Sequence, residues 1–269
     1  MKLFVYGTLL KDMCRSNLLA DAIFLGGGFI HGTLYDIGYY PGLILSNDLV
    51  YGELYAIDDV ILRNLDVVEG YEPSNPKNSL YTRKKITATQ LCDGLETEAY
   101  TYYYSQSLAD CRRIESGDYR RYLMEQDDKL QWYIAYGSNM NMHRLNARIG
   151  NVCEFIPGYL QGFALVFNKS ALNGSAYANL SFVGGNSNCP CVAYRVTNSQ
   201  LSLLDSYEGV PSHYIRISTP FVDINKTVSF IGQVYVANIM RLVSNAVPEQ
   251  EYVDHIRAGY DFHGFDWLL

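Results

Sequence analysis

The chain has 269 residues, of which 48% are hydrophobic and 18% charged, with a formal net charge of -7. That balance places it among soluble globular proteins and excludes a disordered or fibrous chain. The acidic balance, without any run of Lys or Arg, also argues against nucleic-acid binding, which rests on clustered cations.

Residues 2–6 predict a buried strand, entered directly from Met1 without the charged and apolar regions of a secretory leader. A loop, Gly7-Thr8-Leu9-Leu10, leads into a polar-apolar segment over residues 12–20, and the run Gly26-Gly27-Gly28 reads as a turn before the next strand. That run lacks the later Gly, Lys and Ser/Thr positions of a nucleotide-binding loop. Strands are predicted over residues 29–35, 50–55, 82–89 and 98–104, and a helix over 60–68, where Ile61, Leu62, Leu65 and Val68 share a face. Residues 125–129 are charged and free of apolar side chains, the expected linker between domains 1–128 and 131–269.

The second half runs in the same order: strand 132–136, a polar-amphipathic stretch 140–149, strands near 162–168 and 192–196, helix 199–207, and strands 214–220 and 229–236. A last helix is expected over 248–260, where Tyr252, Ile256 and Tyr260 stand four apart. Strands dominate with one or two helices per half, so the fold class is α+β on a mixed or barrel-like sheet. Cys14, Cys92, Cys111, Cys153, Cys189 and Cys191 are too scattered for a disulfide framework, so a reducing cytoplasm is expected. Cys189-Pro190-Cys191 lacks the usual metal spacing and reads as two strand thiols. No apolar run approaches the roughly 20 residues of a membrane span, and no membrane partner is expected.

Two phrases recur at a spacing of about 130 residues, the size of a domain. Phe4-Val5-Tyr6-Gly7-Thr8-Leu9 is echoed by Ile134-Ala135-Tyr136-Gly137-Ser138-Asn139, and Leu65-Asp66-Val67-Val68-Glu69-Gly70 by Leu204-Asp205-Ser206-Tyr207-Glu208-Gly209. A strand ending in Tyr-Gly leaves backbone N–H groups unpaired where the chain turns, and Gly lets a ligand approach them. Such a loop can hold a carboxylate or an oxyanion, although a single copy is more often an ordinary tight turn. Glu69 and Glu208 each fall at a predicted helix end, one residue before a Gly cap. A carboxylate there opposes the helix dipole at a cost of about 0.3 to 1 kcal/mol, and the same field, with burial, raises its pKa toward that of a general base. One such Glu is commonly an exposed charge before a turn, but two at matching places favour function.

These residues, in this order, resemble the γ-glutamylcyclotransferase-like superfamily. In the first half, Gly32-Thr33-Leu34-Tyr35-Asp36, Tyr40-Pro41-Gly42-Leu43, Gly52-Glu53-Leu54-Tyr55 and Tyr81-Thr82-Arg83 are similar to its γ-glutamylamine cyclotransferase and avirulence-induced branch. In the second, Ala176-Tyr177-Ala178-Asn179-Leu180, Tyr214-Ile215-Arg216 and His263-Gly264 are more like its γ-glutamyl peptide and butirosin-pathway branch. Ser116-Gly117-Asp118-Tyr119 ends in Tyr where Trp is common, and Ser181-Phe182 stands where a Pro is common, departures that bear on pocket shape.

The resemblance implies two tandem domains, each a small six-stranded barrel with flanking helices, and cleavage of a γ-glutamyl amide by its own α-amine, an acyltransferase- or lyase-type reaction releasing 5-oxoproline and a free amine. It makes Glu69 and Glu208 the general acid/base groups, with no metal and no cofactor. The loops Gly7, Thr8, Leu9 and Gly137, Ser138, Asn139, Met140 would hold the substrate carboxylate or oxyanion, and Tyr6, Tyr81, Tyr136 and Tyr214 would line the cavities or simply pack. The expected partner is a small γ-glutamyl amide, met by a monomer whose domains touch within the chain. Two alternatives stay open: a non-catalytic domain pair that binds a small molecule or protein through the same cavities, and a chain in which one half alone is active.

Overall fold

The computed structural model describes residues 1–127 and 130–267. The chain divides into two compact units, Met1–Leu123 and Met124–Leu269. The first contains β1 (Lys2–Val5), β2 (Ile23–Asp36), β3 (Pro41–Ala56), α1 (Asp59–Val68), β4 (Tyr81–Gln90), β5 (Glu96–Tyr104) and β6 (Arg112–Arg113), followed by α2 (Tyr119–Asp127). The second contains β7 (Leu130–Ala135), α3 (Met142–Ile149), β8 (Phe155–Gln161), β9 (Phe163–Ser170), β10 (Ala176–Phe182), β11 (Asn188–Thr197), α4 (Asn198–Glu208), β12 (Tyr214–Asp223), β13 (Ser229–Ala237) and α5 (Gln250–His263).

Each unit closes a mixed barrel. In the first, β3, β1, β5, β4 and β2 pair in turn, and β2 returns to β3 to complete the ring. In the second the ring runs β11, β7, β13, β12, β8. Both have one parallel contact, between the first strand and the last of the ring: Leu3 opposite Tyr100, and Val234 opposite Ile134. The resemblance implied six strands; the rings close with five, and β6 pairs with β2 at its far end. The two copies diverge in the hairpin after the first strand. The long β2–β3 hairpin of the first unit is broken in the second into the β8–β11 pair and a separate β9–β10 ribbon.

Alternation along β1 explains why Leu3, Phe4 and Val5 are all apolar. Phe4 and Tyr6 join one core cluster with Ile30, Leu34, Leu43 and Leu54, whereas Leu3 and Val5 join another with Leu62 and Leu65 of α1. Both faces of the strand are therefore covered, one by the barrel interior and one by the helix. The ends of α1 and α4 follow their sequence signals. Asp58 caps α1 by accepting from the Ile61 amide, and Thr197 and Gln200 form a capping box on α4. Gly70 and Gly209 end the helices at φ 59° and 65°, where a side chain is disfavoured.

Several expectations are corrected. The run Gly26-Gly27-Gly28 is part of β2, with a bulge between Phe24 and Gly26. A Cβ on Gly28 would stand 2.9 Å from the Thr89 carbonyl oxygen, so the glycines let strands approach closely in a small barrel. Residues 12–20 form only a short 3-10 turn, Ser16–Leu19. The expected linker is helical through Asp127, in keeping with its freedom from Gly and Pro, and its last two residues, Asp128 and Lys129, lie outside the described residues. The last helix continues past Tyr260 to His263 and is capped by Gly264. Among the described residues no helix is long and apolar enough to cross a membrane. Cys189 and Cys191 are buried in β11 without a disulfide, and burial pushes the Cys189 thiol up to about 12.

Candidate active site

In the first unit β1 delivers the Tyr-Gly loop and α1 delivers Glu69 to one small cavity of about 30 Å³. Tyr6, Gly7, Thr8, Leu9, Glu69 and Tyr81 all line it. The amides of Thr8 and Leu9 donate no backbone hydrogen bond among the described residues, the first turn of the loop being held by the Leu10 amide donating to the Gly7 carbonyl at 3.0 Å. The tyrosine hydroxyls are already engaged. Tyr6 donates to the Tyr102 carbonyl at 2.5 Å and Tyr81 to the Pro41 carbonyl at 2.7 Å, so these rings brace the cavity wall. The Glu69 carboxylate accepts no hydrogen bond among the described residues. Burial raises its pKa to about 7, with the Arg15 guanidinium pulling the other way.

The second unit repeats the arrangement around a cavity of about 550 Å³. Tyr136, Gly137, Ser138, Asn139, Glu208 and Tyr214 line it. Tyr136 donates to the Tyr235 carbonyl and Tyr214 to the Ala178 carbonyl, each at 2.7 Å, the counterparts of the Tyr6 and Tyr81 bonds. Glu208 differs from Glu69 in being held: its Oε1 accepts from Asn139 Nδ2 at 3.0 Å and from Arg148 Nη1 at 3.3 Å. Burial still raises its pKa, against Arg148, Asn139, Arg144 and Lys169, all of which favour the charged form.

A clamp common to both units fixes the helix end that carries each Glu. In the first, Asp66 Oδ2 pairs with Arg83 Nη1 at 2.6 Å and Asp66 Oδ1 accepts from Tyr102 Oη at 2.8 Å. In the second, Arg216 holds Asp205 with two bonds, Nε to Oδ1 at 2.8 Å and Nη2 to Oδ2 at 2.9 Å, and Tyr235 Oη donates to Asp205 Oδ1 at 2.8 Å. The Asp of Leu-Asp-x-x-Glu-Gly and the Arg of Tyr-x-Arg thus meet in space, tying the last turn of the helix to a barrel strand.

Met140 is the one expected site residue that lies elsewhere. It is fully buried, and its carbonyl accepts from Tyr194 Oη at 3.0 Å beneath the loop rather than in the cavity. All three residues of the 3-10 turn Ser138–Met140 are buried, but only Ser138 and Asn139 line the cavity. Residues missed from sequence are those that tertiary structure brings in. Arg15, Tyr40, Pro41 and Tyr102 join the first cavity, and Arg144, Arg148, Lys169, Tyr177, His213 and Tyr252 join the second. A signal was available for Arg144 and Arg148: four apart on α3, they share one face.

Comparison with known proteins agrees with this geometry. A family model described as gamma-glutamyl cyclotransferase, AIG2-like, matches residues 3–121 and again 133–256. The gamma-glutamylcyclotransferase family protein YtfP of Escherichia coli (strain K12) is 34% identical over 120 residues, 44% of this chain and 96% of that protein. The gamma-L-glutamyl-butirosin B gamma-glutamyl cyclotransferase of Niallia circulans is 30% identical over 125 residues, 46% of this chain and 78% of that protein. The crystal structure of YkqA from Bacillus subtilis superposes over 97% of this chain and 91% of its own, with a TM-score of 0.75 at 22% identity, and so shares the two-unit fold. With two family matches that together span most of its length, each on a barrel that presents a Tyr-Gly loop to a half-buried Glu, the chain belongs to the AIG2-like gamma-glutamyl cyclotransferase family as a tandem pair.

Proposed function

We propose that each unit releases 5-oxoproline and a free amine from a γ-glutamyl amide. The observation that carries this reading is the double convergence of an unpaired Tyr-Gly loop and a half-buried Glu of raised pKa on one cavity. The substrate's α-amine, whose ordinary pKa is about 7.7 to 8.0, enters in its neutral form. Its nitrogen attacks the γ-carbonyl carbon while the Glu carboxylate takes the N–H proton, and the carbonyl oxygen becomes an oxyanion facing the loop amides. The same Glu then gives the proton to the departing nitrogen as the amide C–N bond breaks, so the atoms balance without water or any co-reactant. Because the nucleophile is tethered, the protein's main task is to fold the substrate toward the ring.

The test is to incubate the full chain with γ-glutamyl amino acids, γ-glutamyl-lysine and simple γ-glutamyl amines and to follow 5-oxoproline by mass spectrometry. Glu69→Gln and Glu208→Gln should each remove one unit's share, and the double variant should lose at least about a hundredfold in turnover, within the range of general acid/base catalysis. Undiminished turnover in the double variant would falsify the mechanism. Tight binding of an unrelated ligand with no turnover of any amide would favour a binding module instead.

A further inference from the structure

The two cavities differ in charge. The first is lined by one cation, Arg15, and one carboxylate, Glu69; the second by three cations, Arg144, Arg148 and Lys169, against the single carboxylate of Glu208. Arg148 is satisfied by Asn139 and Glu208. The other two are not. Lys169 is 4% exposed, and among the described residues its Nζ has only His213 Nδ1, at 3.1 Å, and the faces of Tyr177 and Tyr214, at 5.0 and 5.5 Å from the ring centroids. Arg144 has its Nε buried without any partner, and among the described residues no carboxylate lies within ion-pair distance of either side chain. Burying a cation without a counter-ion is costly, and a chain of net charge -7 has acidic residues to spare. Here Glu208, already bonded to Arg148 and Asn139, is the single lining carboxylate for three cations, and both side chains line a cavity wide enough for a dipeptide-sized ligand.

The first cavity has no equivalent of Lys169 for a structural reason. Tyr81 and Tyr214 donate to the Pro41 and Ala178 carbonyls, which places Pro41 and Ala178 at matching points. Beyond Ala178 the β9–β10 ribbon continues, with Lys169 opposite Tyr177, whereas Pro41 is the first residue of β3 and the chain before it turns at once. The ribbon that distinguishes the second unit is therefore also the element that carries its extra cation.

We propose that Lys169 and Arg144 are specificity-determining residues that select, in the second unit alone, γ-glutamyl amides whose leaving amine itself bears an anionic group. This rests on the proposed reaction, in which the loop and Glu208 serve the glutamyl half of the substrate and leave Lys169 and Arg144 for the other half. The first unit, with its small neutral cavity, takes leaving amines without that charge.

The test uses the full chain carrying Glu69→Gln, so that only the second unit turns over, and two probes that differ by one charge, γ-glutamylglycine and γ-glutamylglycinamide. The ratio of their kcat/KM values should favour the carboxylate by about ten- to a hundredfold, the range of a charge-assisted hydrogen bond. Lys169→Met should lower that ratio at least about tenfold, Lys169→Arg should restore most of it, and Arg144→Gln should lower it independently. In the Glu208→Gln chain the ratio should not exceed one. Equal losses on both probes, or an unchanged ratio, would overturn the proposal, and if Lys169→Met does not fold, Arg144→Gln decides. If neither probe yields 5-oxoproline in any variant, the reaction is wrong, and calorimetry on the Glu69→Gln/Glu208→Gln chain still judges the charge preference. Tighter binding of the carboxylate probe, lost in Lys169→Met, supports it; equal binding of the two sinks it.

Discussion

Glu69 and Glu208 occupy the same place in the repeat yet sit in different fields. Glu208 is tethered by Asn139 and Arg148, whereas Glu69 is desolvated with only Arg15 to favour its charge. The consequence for stability follows from the sign of the shift. Folding raises the Glu69 pKa from the ordinary 4.5 to about 7, so below 4.5 the group is protonated in both states and contributes no difference. As the pH rises from there toward 7 the unfolded chain ionises first, and stability falls by roughly 3 kcal/mol before levelling off. Gln cannot ionise. Glu69→Gln should therefore leave the urea midpoint nearly unchanged at pH 4 and raise it at pH 8 by an amount worth about 2 to 3 kcal/mol. An equal effect at both pH values would mean that the carboxylate is not desolvated in the fold.

At the scale of elements, the second loop depends on α5. Gly259 faces it so closely that a Cβ there would stand 2.6 Å from Met140 Cβ, 2.7 Å from the Met140 carbonyl carbon and 2.8 Å from the Asn141 nitrogen. His263, one turn on, approaches the Met140 carbonyl with Nε2 at 3.1 Å, and burial lowers its pKa against that contact, which raises it. Gly259→Ala must then displace backbone rather than a flexible side chain, at a cost of about 1 to 3 kcal/mol. Turnover by the Glu69→Gln chain should fall at least about tenfold, measured as 5-oxoproline release, while the same change in the Glu208→Gln chain should cost far less. Elements were legible in sequence where a local signal existed: the apolar period of α1, the cap before α4 and the Gly after each Glu. The run Gly26-Gly27-Gly28 misled because Gly26 serves a bulge at φ 107° inside the strand and Gly28 meets the Thr89 carbonyl, some sixty residues away. The strand β10 and the helix α2 carry no comparable local signal.

Across the whole molecule, the duplicated site was readable because each motif is short and its parts lie on one strand end and one helix end. The difference between the sites was not. Lys169 reaches the second cavity only because β9 and β10 leave the barrel as a ribbon, and no spacing in the sequence links it to Glu208. With no side chain common to the two cavities, their contributions should add. For a γ-glutamyl amide cleaved by both, the kcat/KM of the native chain should equal the sum of those of Glu69→Gln and Glu208→Gln, and a marked excess would reveal communication between the units. The parallel pairing that closes each ring has a further consequence, for synthesis on the ribosome. Because β1 seals against β5, and β7 against β13, neither barrel can close until its last strand has left the exit tunnel. At about 5 to 20 residues per second, the nascent first unit holds β1 with one edge unsealed for several seconds, and it is complete while the second is still being made. The order of translation thus keeps two look-alike sets of strands from being available to each other at once.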